Sequence, residues 1–144
     1  MKHQKIIFKL VLLFFVICNL KSVSSQEEGL INKTKSQIKL TETKQLYLQG
    51  NIKTALLNYK EIIALNPSIP KAHFGISRCY YKLHDYKKAK YHAEIAEKNN
   101  PKVDEDLYYL LGEIYFRLEK LEKSKTSYEK FISEIKSKQK IKDY

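Results

Sequence analysis

Histidine, cysteine and carboxylate side chains are the groups in this sequence that could carry catalysis or hold a metal. Apart from His3 near the N-terminus, the histidines are His73, His84 and His92, and no two of them lie one helical turn apart. No cysteine pair and no HExxH run accompanies them, and four scattered glycines form no phosphate-binding loop. We therefore expect no metal site and no cofactor.

Two acidic clusters, Glu27-Glu28 and 104–106, are the remaining candidates for acid–base chemistry. The second cluster stands where a helix is predicted to begin, and the helix dipole favours carboxylates at that position without any catalytic role. The sequence thus predicts no catalytic residue, and we expect a protein that is not an enzyme.

The chain is basic, with a net charge of +11 over 144 residues. Residues 1–25 contribute four Lys and no acid, which leaves a charge of about +7 on the rest. The lysines are interleaved with glutamates, and the aromatic residues fall at core spacings. A solvated lysine-rich surface is therefore favoured over nucleic-acid binding, even though the basic C-terminal tail at 136–144 carries four Lys.

Residues 1–25 have the layout of a secretory signal peptide. A short basic start is followed by an apolar run from Leu10 to Cys18 and then by Ser22-Val23-Ser24-Ser25. The run is much shorter than the ~20 residues that span a bilayer. We expect export to the periplasm or the exterior, with cleavage between Ser25 and Gln26.

Two alternatives to cleavage remain open. The leader could persist as a membrane anchor, or Cys18 could be acylated, although Ile17 is larger than the residue that lipoprotein signals place before that cysteine. If the leader is removed, Cys79 stands alone and no intrachain disulfide is possible. The repeat pattern places Cys79 on a buried helical face.

An internal repeat organises the rest of the chain. Asn66-Pro67 recurs as Asn100-Pro101. Beyond that point the distance between matching residues is one position longer, as between Ser77 and Gly112. Each unit reads as two amphipathic helices joined by a short turn, with turns predicted at 50–51, 84–85 and 119–120. Small residues are expected where paired helices cross, namely Ala55, Ser77, Ala89, Gly112 and Ser124.

These segments resemble the tetratricopeptide repeat (TPR) family. Gly50-Asn51-Ile52-Lys53-Thr54-Ala55 with Asn66-Pro67 is similar to the family's second-helix signature, and Leu111-Gly112-Glu113-Ile114-Tyr115 is similar to its first-helix signature. The resemblance implies an all-α, right-handed superhelical array of about three helix-turn-helix units with a C-terminal capping helix. The array is expected at 36–135, with units at 36–69, 70–103 and 105–135, after a lead-in at 26–35.

The family's first helices line a groove that commonly holds a peptide or a partner helix. Carried over to this sequence, the resemblance implies a partner-binding groove lined by Lys44, Tyr47, Phe74, Arg78, Tyr81, Lys82, Tyr109, Glu113, Phe116 and Arg117. Cations beside exposed aromatics suit an extended or acidic peptide. The family's carboxylate-clamp subtype does not fit, because the clamp positions hold Leu40, Lys44, Gly75, Asp106 and Leu110.

Two functions follow from this resemblance. The first is a scaffold or adaptor that docks a protein or peptide of unknown identity in the groove, outside the cytoplasm. The second is a structural or self-associating subunit of an envelope assembly, whose repeats stack with other copies and which has no peptide-groove function.

Overall fold

The computed structural model describes Ile31 and residues 34–142, with side chains up to residue 139. The chain divides into two units, Met1–Gln37 and Ile38–Tyr144, and the helical array from residue 38 onward belongs to the second. The predicted leader at 1–25 and the cleavage between Ser25 and Gln26 lie outside the described residues, as does most of the lead-in at 26–35.

The described residues form six helices and no strand. They are α1 (34–48), α2 (Ile52–Leu65), α3 (Pro70–Lys82), α4 (Tyr86–Asn99), α5 (Leu107–Arg117) and α6 (Leu121–Lys142). From α2 onward each helix packs on the next, and α3 also contacts α5. This arrangement confirms the prediction of an all-α array of helical hairpins. No helix in the described part of the chain combines the length and the apolarity needed to cross a bilayer.

The turns inside the three hairpins share one backbone device. Gly50, His84 and Glu119 have φ angles of 84°, 60° and 58°, so each turn places one residue in the left-handed region after its first helix. Only the first is glycine. A left-handed side-chain-bearing residue costs roughly 1–2 kcal/mol, so the second and third turns are held by the packing of the helices that they join.

Helix α6 is longer than the second helix of either earlier hairpin. It covers 22 residues and ends at Lys142, so the expected capping helix and most of the expected tail at 136–144 form its continuation. The segment contains no Pro or Gly that would stop a helix. An ion pair of 3.0 Å between Lys138 and Glu105 holds its last part against the loop before α5.

Small residues let the paired helices approach at their crossings. The Ser77 hydroxyl donates to the Ala89 carbonyl at 2.8 Å, and the Ser124 hydroxyl donates to the Gly112 carbonyl at 2.9 Å. Both bonds are buried and each joins the two helices of one hairpin. Cys79 is also fully buried, as predicted, and burial raises the pKa of its thiol to about 12.

Tyrosine rings fill the spaces that two glycines leave open. The Tyr59 ring lies against Gly75, and the Tyr128 ring lies against Gly112, where a Cβ atom would come within 2.6 Å of the ring. Tyr59 is buried, and Tyr128 is half-buried. Close packing therefore requires glycine at 112 for as long as the tyrosine ring occupies its place.

Replacement of Gly112 tests this constraint. We expect Gly112→Ala to lower the free energy of unfolding by about 1–3 kcal/mol, because the new methyl group collides with the Tyr128 ring. In the less stable Tyr128→Ala background the collision is gone, and the same change should be neutral or stabilising by up to about 1 kcal/mol, since alanine favours helix over glycine. Urea unfolding followed by circular dichroism measures both. Equal costs in the two backgrounds would show that the ring is not the obstacle.

Candidate functional site

Side chains of the three first helices, α1, α3 and α5, meet on one surface, which we call the first-helix face. It contains the residues that the sequence assigns to a partner-binding groove. Helices α3 and α5 pack directly on each other, and side chains of α3 reach those of α1 and α5. The predicted residues fall into two contact groups and a set of exposed side chains.

The first group is built around Arg78 of α3. Its guanidinium carbon lies 4.5 Å from the centre of the Tyr47 ring on α1 and 5.6 Å from that of the Phe74 ring. Both distances suit cation–π contact. Among the described residues the guanidinium makes no hydrogen bond and no ion pair, so its N–H donors are available to a ligand.

Phe74 itself is not an exposed anchor, and the expectation that it would be is wrong. Its side chain is only 4% exposed and belongs to the hydrophobic core. The physical reason is that the Arg78 guanidinium lies over the ring and the array encloses the rest. The Phe74 ring therefore packs against the Arg78 guanidinium and is too buried to contact a ligand.

The second group joins α3, α5 and α6 through the carboxylate of Glu113. The Tyr81 hydroxyl donates to one carboxylate oxygen at 2.8 Å, and the Tyr128 hydroxyl donates to the other at 2.6 Å. The bonds from Tyr128 and Tyr81 hold the pKa of Glu113 below its usual range. Glu113, which the sequence assigned to the partner-binding groove, therefore makes its hydrogen bonds inside the protein and links three helices.

Arg117 lies at the edge of this second group. Its contact with the Tyr81 hydroxyl is the main cause of its raised pKa, and Tyr86 is the next. The Tyr86 ring meets the Tyr81 ring edge-on at 5.7 Å. Tyr86 and Tyr128, which lie on the second helices α4 and α6, also contact this surface, although the sequence did not assign them to it.

The remaining predicted residues are exposed. Lys44, Lys82 and Phe116 face solvent, with 54% of Phe116 exposed. Tyr109 is 47% exposed and contacts the rings of Tyr128 and Phe131.

An open cavity of about 430 Å³ adjoins the face at the turn end of the hairpins. Its apolar lining comes from Leu83, Tyr86 and Leu118, and its polar lining from His84, Asp85 and Lys87. Tyr86, which lines the cavity, also contacts the Tyr81 ring of the second contact group.

The charges of the first-helix face are unequal. Lys44, Arg78, Lys82 and Arg117 are cationic, whereas Glu113 is the one anionic residue among those predicted for the groove. The face therefore offers donors and positive charge to a ligand. Arginine and lysine side chains of this kind suit recognition of anionic groups. Within the described residues no three potential metal ligands cluster.

His73 and His92 lie together, although the sequence spacing gave no reason to pair them. Their Nδ1 atoms are 3.0 Å apart, and their ring centroids are 5.3 Å apart at an interplanar angle of 26°. The difference between the two distances is about the width of one imidazole ring, so the two nitrogens point at each other. Because the two Nδ1 atoms share a hydrogen bond, they do not offer two free lone pairs to a metal ion.

The partner of the other His73 nitrogen fixes the proton positions. Nε2 of His73 lies 2.8 Å from the Pro67 carbonyl, which only accepts, so Nε2 carries a proton. In the neutral pair Nδ1 of His73 then accepts from Nδ1–H of His92. Burial lowers the pKa of His92 to about 4, with smaller contributions from His73 and Lys60. The pair joins α3, α4 and the connection between the first two hairpins.

A family model described as a tetratricopeptide repeat matches residues 105–137. No curated protein sequence matches the chain significantly. Among solved structures, the chain resembles YrrB, a TPR protein with an unusual peptide-binding site, at a TM-score of 0.62 and 23% identity, over 66% of this chain and 48% of YrrB. The chain thus spans about half the length of YrrB.

Two further solved structures share the fold. The first TPR of Spaghetti (RPAP3), bound to the HSP90 peptide SRMEEVD, matches at a TM-score of 0.64 and 22% identity, over 69% of this chain and 79% of that domain. The TPR domain of Arabidopsis FLU matches at a TM-score of 0.64 and 19% identity, over 74% and 98%. These likenesses show the fold of the array.

Acid titration tests the histidine pair. The pKa of His92 falls from an ordinary value of 6.5 to about 4 in the folded chain. Below about pH 6.5 the unfolded chain therefore binds more protons at His92 than the folded chain does. The stability that neutral His92 contributes should be lost as pH falls from about 6.5 towards about 4. His92→Gln keeps a donor for His73 and removes this titration.

Thermal melts at a series of pH values measure the effect. We expect the melting temperature of His92→Gln to change less than that of the parent chain across this pH interval. His84→Asn is the matched control, since His84 is exposed and asparagine tolerates its left-handed backbone. An unchanged pH dependence in His92→Gln, or an equal change in the control, would contradict the assignment.

Proposed function

We propose that this chain, which is similar to tetratricopeptide repeat proteins in fold and in the sequence of residues 105–137, is a protein–protein interaction module whose first-helix face holds an extended acidic segment of a partner. The proposal is of a binding scaffold or adaptor rather than of an enzyme. Some solved structures with this fold contain a bound peptide. The peptide bound to the RPAP3 domains, SRMEEVD, is itself rich in carboxylates.

Arg78 is the observation that carries the proposal. Its guanidinium rests on two aromatic rings and has no partner among the side chains that the structure describes. The rings restrict its orientation before a ligand arrives, which lowers the entropy lost on binding. A planar guanidinium can take a carboxylate through two parallel N–H···O bonds.

The balance of charge on the face supports an acidic ligand. Glu113 stays anionic, because the tyrosine hydroxyls that donate to it lower its pKa, but the cations of the face outnumber it. Lys82 on α3 and Lys44 on α1 add exposed positive charge on either side of Arg78. The open cavity lined by Leu83, Tyr86 and Leu118 offers an apolar recess beside the charged part of the face.

The ligand is not expected to be held as in the carboxylate clamp of the family. Leu40 and Leu110, which stand at two of the clamp positions, are 7% and 8% exposed, and Gly75 lies under the Tyr59 ring. None of the three offers a polar group to a terminal carboxylate. We therefore propose that carboxylates within an extended segment are recognised.

The mutation of Arg78 tests this function with a defined probe, a fluorescein-labelled polyglutamate peptide followed by anisotropy at low and high salt. We expect Arg78→Ala to weaken binding by about thirtyfold, which corresponds to about 2 kcal/mol. Arg78→Lys keeps the charge but loses the planar fork, so its effect should be intermediate.

Lys53→Ala is the charge-matched control, because Lys53 is an exposed cation on α2, away from the face. Equal losses from Arg78→Ala and Lys53→Ala would indicate nonspecific attraction between the basic chain and the acidic probe. Absence of binding by the parent chain would contradict the acidic-segment proposal.

We also propose that the protein acts outside the cytoplasm, on the strength of the basic, apolar and small-residue order of residues 1–25. Material recovered from outside the cytoplasm should begin at Gln26, which N-terminal sequencing and intact mass measure. A chain that still begins at Met1 would indicate a retained anchor, and a lipid on Cys18 would indicate a lipoprotein; either result contradicts cleavage at Ser25.

A further inference from the structure

The open cavity of about 430 Å³ at the turn end of the hairpins, which we call the turn pocket, is lined by the turn of the second hairpin and by the end of α5. Its apolar walls come from Leu83, Tyr86 and Leu118. Leu83 is 38% exposed and Leu118 is half-buried, so both present apolar surface that the array does not cover. The volume lies in the range of small-ligand pockets, and one large side chain fits within it.

His84 forms a further wall of the turn pocket and contacts Tyr86 there. Its Nδ1 atom lies 2.9 Å from the Tyr86 hydroxyl, and the two rings meet edge-on with their centroids 6.0 Å apart. These contacts order the wall before a ligand arrives, which lowers the entropy lost on binding.

The corresponding turn of the first hairpin lacks these walls. Leu83 and His84 correspond in the repeat to Gln49 and Gly50, so the first turn has an amide and a bare backbone where the second has apolar and aromatic groups. His84 also adopts a φ angle of 60°, at which glycine would cost less. The hairpin fold therefore does not require a leucine and a histidine at these positions.

The charges around the turn pocket favour a ligand that is anionic next to its apolar part. Asp85, in the lining, is paired with Lys88 at 2.6 Å. Lys87, also in the lining, and Arg117, at the end of α5, are exposed and make no ion pair within the described part of the chain. Glu119 follows α5 but is not part of the lining.

The separation of Arg117 from the turn pocket fits an extended ligand. Arg117 contacts the Tyr81 hydroxyl, and the Tyr81 ring lies 5.7 Å from the ring of Tyr86, which lines the pocket. Side chains two residues apart in an extended segment lie on the same side and about 7 Å from each other. A carboxylate at Arg117 and an apolar side chain in the pocket therefore match residues i and i+2 of one segment.

We propose that the turn pocket holds one large apolar side chain of the acidic segment, two residues away from a carboxylate that Arg117 binds. This inference rests on the proposed function and adds a requirement to it, namely that the ligand carries an apolar residue among its carboxylates. The pocket supplies apolar contact for that residue, and the cations of the first-helix face hold the flanking carboxylates.

Three fluorescein-labelled probes separate the turn pocket from the charged face. They are the polyglutamate peptide, the same peptide with one central phenylalanine, and the same peptide with glutamine at that position. The last two probes have equal charge, so the ratio of their affinities measures the apolar contribution. In anisotropy titrations with the full chain, we expect the phenylalanine probe to bind about tenfold more tightly than the glutamine probe, because its ring leaves water in the pocket.

Leu83→Gln and His84→Gly place the residues of the first turn in the turn pocket. Each should reduce the preference for the phenylalanine probe to less than about threefold, because an apolar or aromatic wall is removed. Leu57→Gln is the matched control for Leu83→Gln, since Leu57 is 61% exposed on α2, away from the pocket, and this variant should keep the full preference. Circular dichroism should show that all three variants stay folded, because the side chains are exposed.

The possible failures are distinguishable. Equal binding of the phenylalanine and glutamine probes by the parent chain would overturn the turn pocket and leave the acidic-segment function standing. The pocket is also overturned if Leu57→Gln loses the preference as Leu83→Gln does, or if neither pocket variant changes it. If the parent chain binds none of the three probes, the proposed function fails and the pocket proposal fails with it.

Discussion

Close approach of two helices within each hairpin is the constraint on which the rest of this structure depends. Backbones can come into contact only where the side chains at the crossing are small, and the chain adds one buried hydrogen bond at that point. Ser77 donates to the Ala89 carbonyl in one hairpin, and Ser124 donates to the Gly112 carbonyl in the next. The serine lies on the first helix of one hairpin and on the second helix of the next, yet both crossings keep a small partner residue and the same kind of hydrogen bond. Residues at the crossing can therefore change places only if the crossing stays narrow.

The first-helix face depends on contacts between neighbouring hairpins. Helix α3 stands close enough to α1 for Arg78 to lie over the Tyr47 ring, and close enough to α5 for Tyr81 to reach Glu113. Tyr128 then ties the same carboxylate to α6. The Glu113 carboxylate thus links two first helices and one second helix, and a displacement of any of them would break a charge-assisted hydrogen bond.

Much of the fold could be predicted from the sequence, because periodicity and turn residues report local structure directly. The turns fall at Gly50, His84 and Glu119, and Cys79 is buried, as the repeat register indicates. Periodicity assigns a residue to a helical face, but it does not say what covers that face. The Arg78 side chain covers Phe74, and this cover depends on the conformation of a long side chain.

Contacts between different helices could not be predicted from the sequence either. The pairing of His73 with His92 depends on how α3 packs against α4, and the two partners of Glu113 come from different helices on either side of it in the chain. From its spacing alone, Glu113 was predicted to contact a ligand. In the structure its carboxylate instead joins side chains of α3 and α6.

Composition alone would attribute the positive character of the face to an excess of lysine, but the ion pairs indicate a different origin. On the second helices and their flanks, Lys88 pairs with Asp85 at 2.6 Å, Lys130 pairs with Glu97 at 3.1 Å, and Lys138 pairs with Glu105 at 3.0 Å. Such exposed pairs contribute little stability, yet they cancel charge locally. On the first-helix face the partners are neutral instead, since two tyrosine hydroxyls donate to Glu113 and aromatic rings lie against the Arg78 guanidinium. Neutral partners cancel neither charge, so the cations Lys44, Arg78, Lys82 and Arg117 stand uncancelled beside the carboxylate of Glu113, and this difference in pairing distinguishes the face from the surface around the ion pairs.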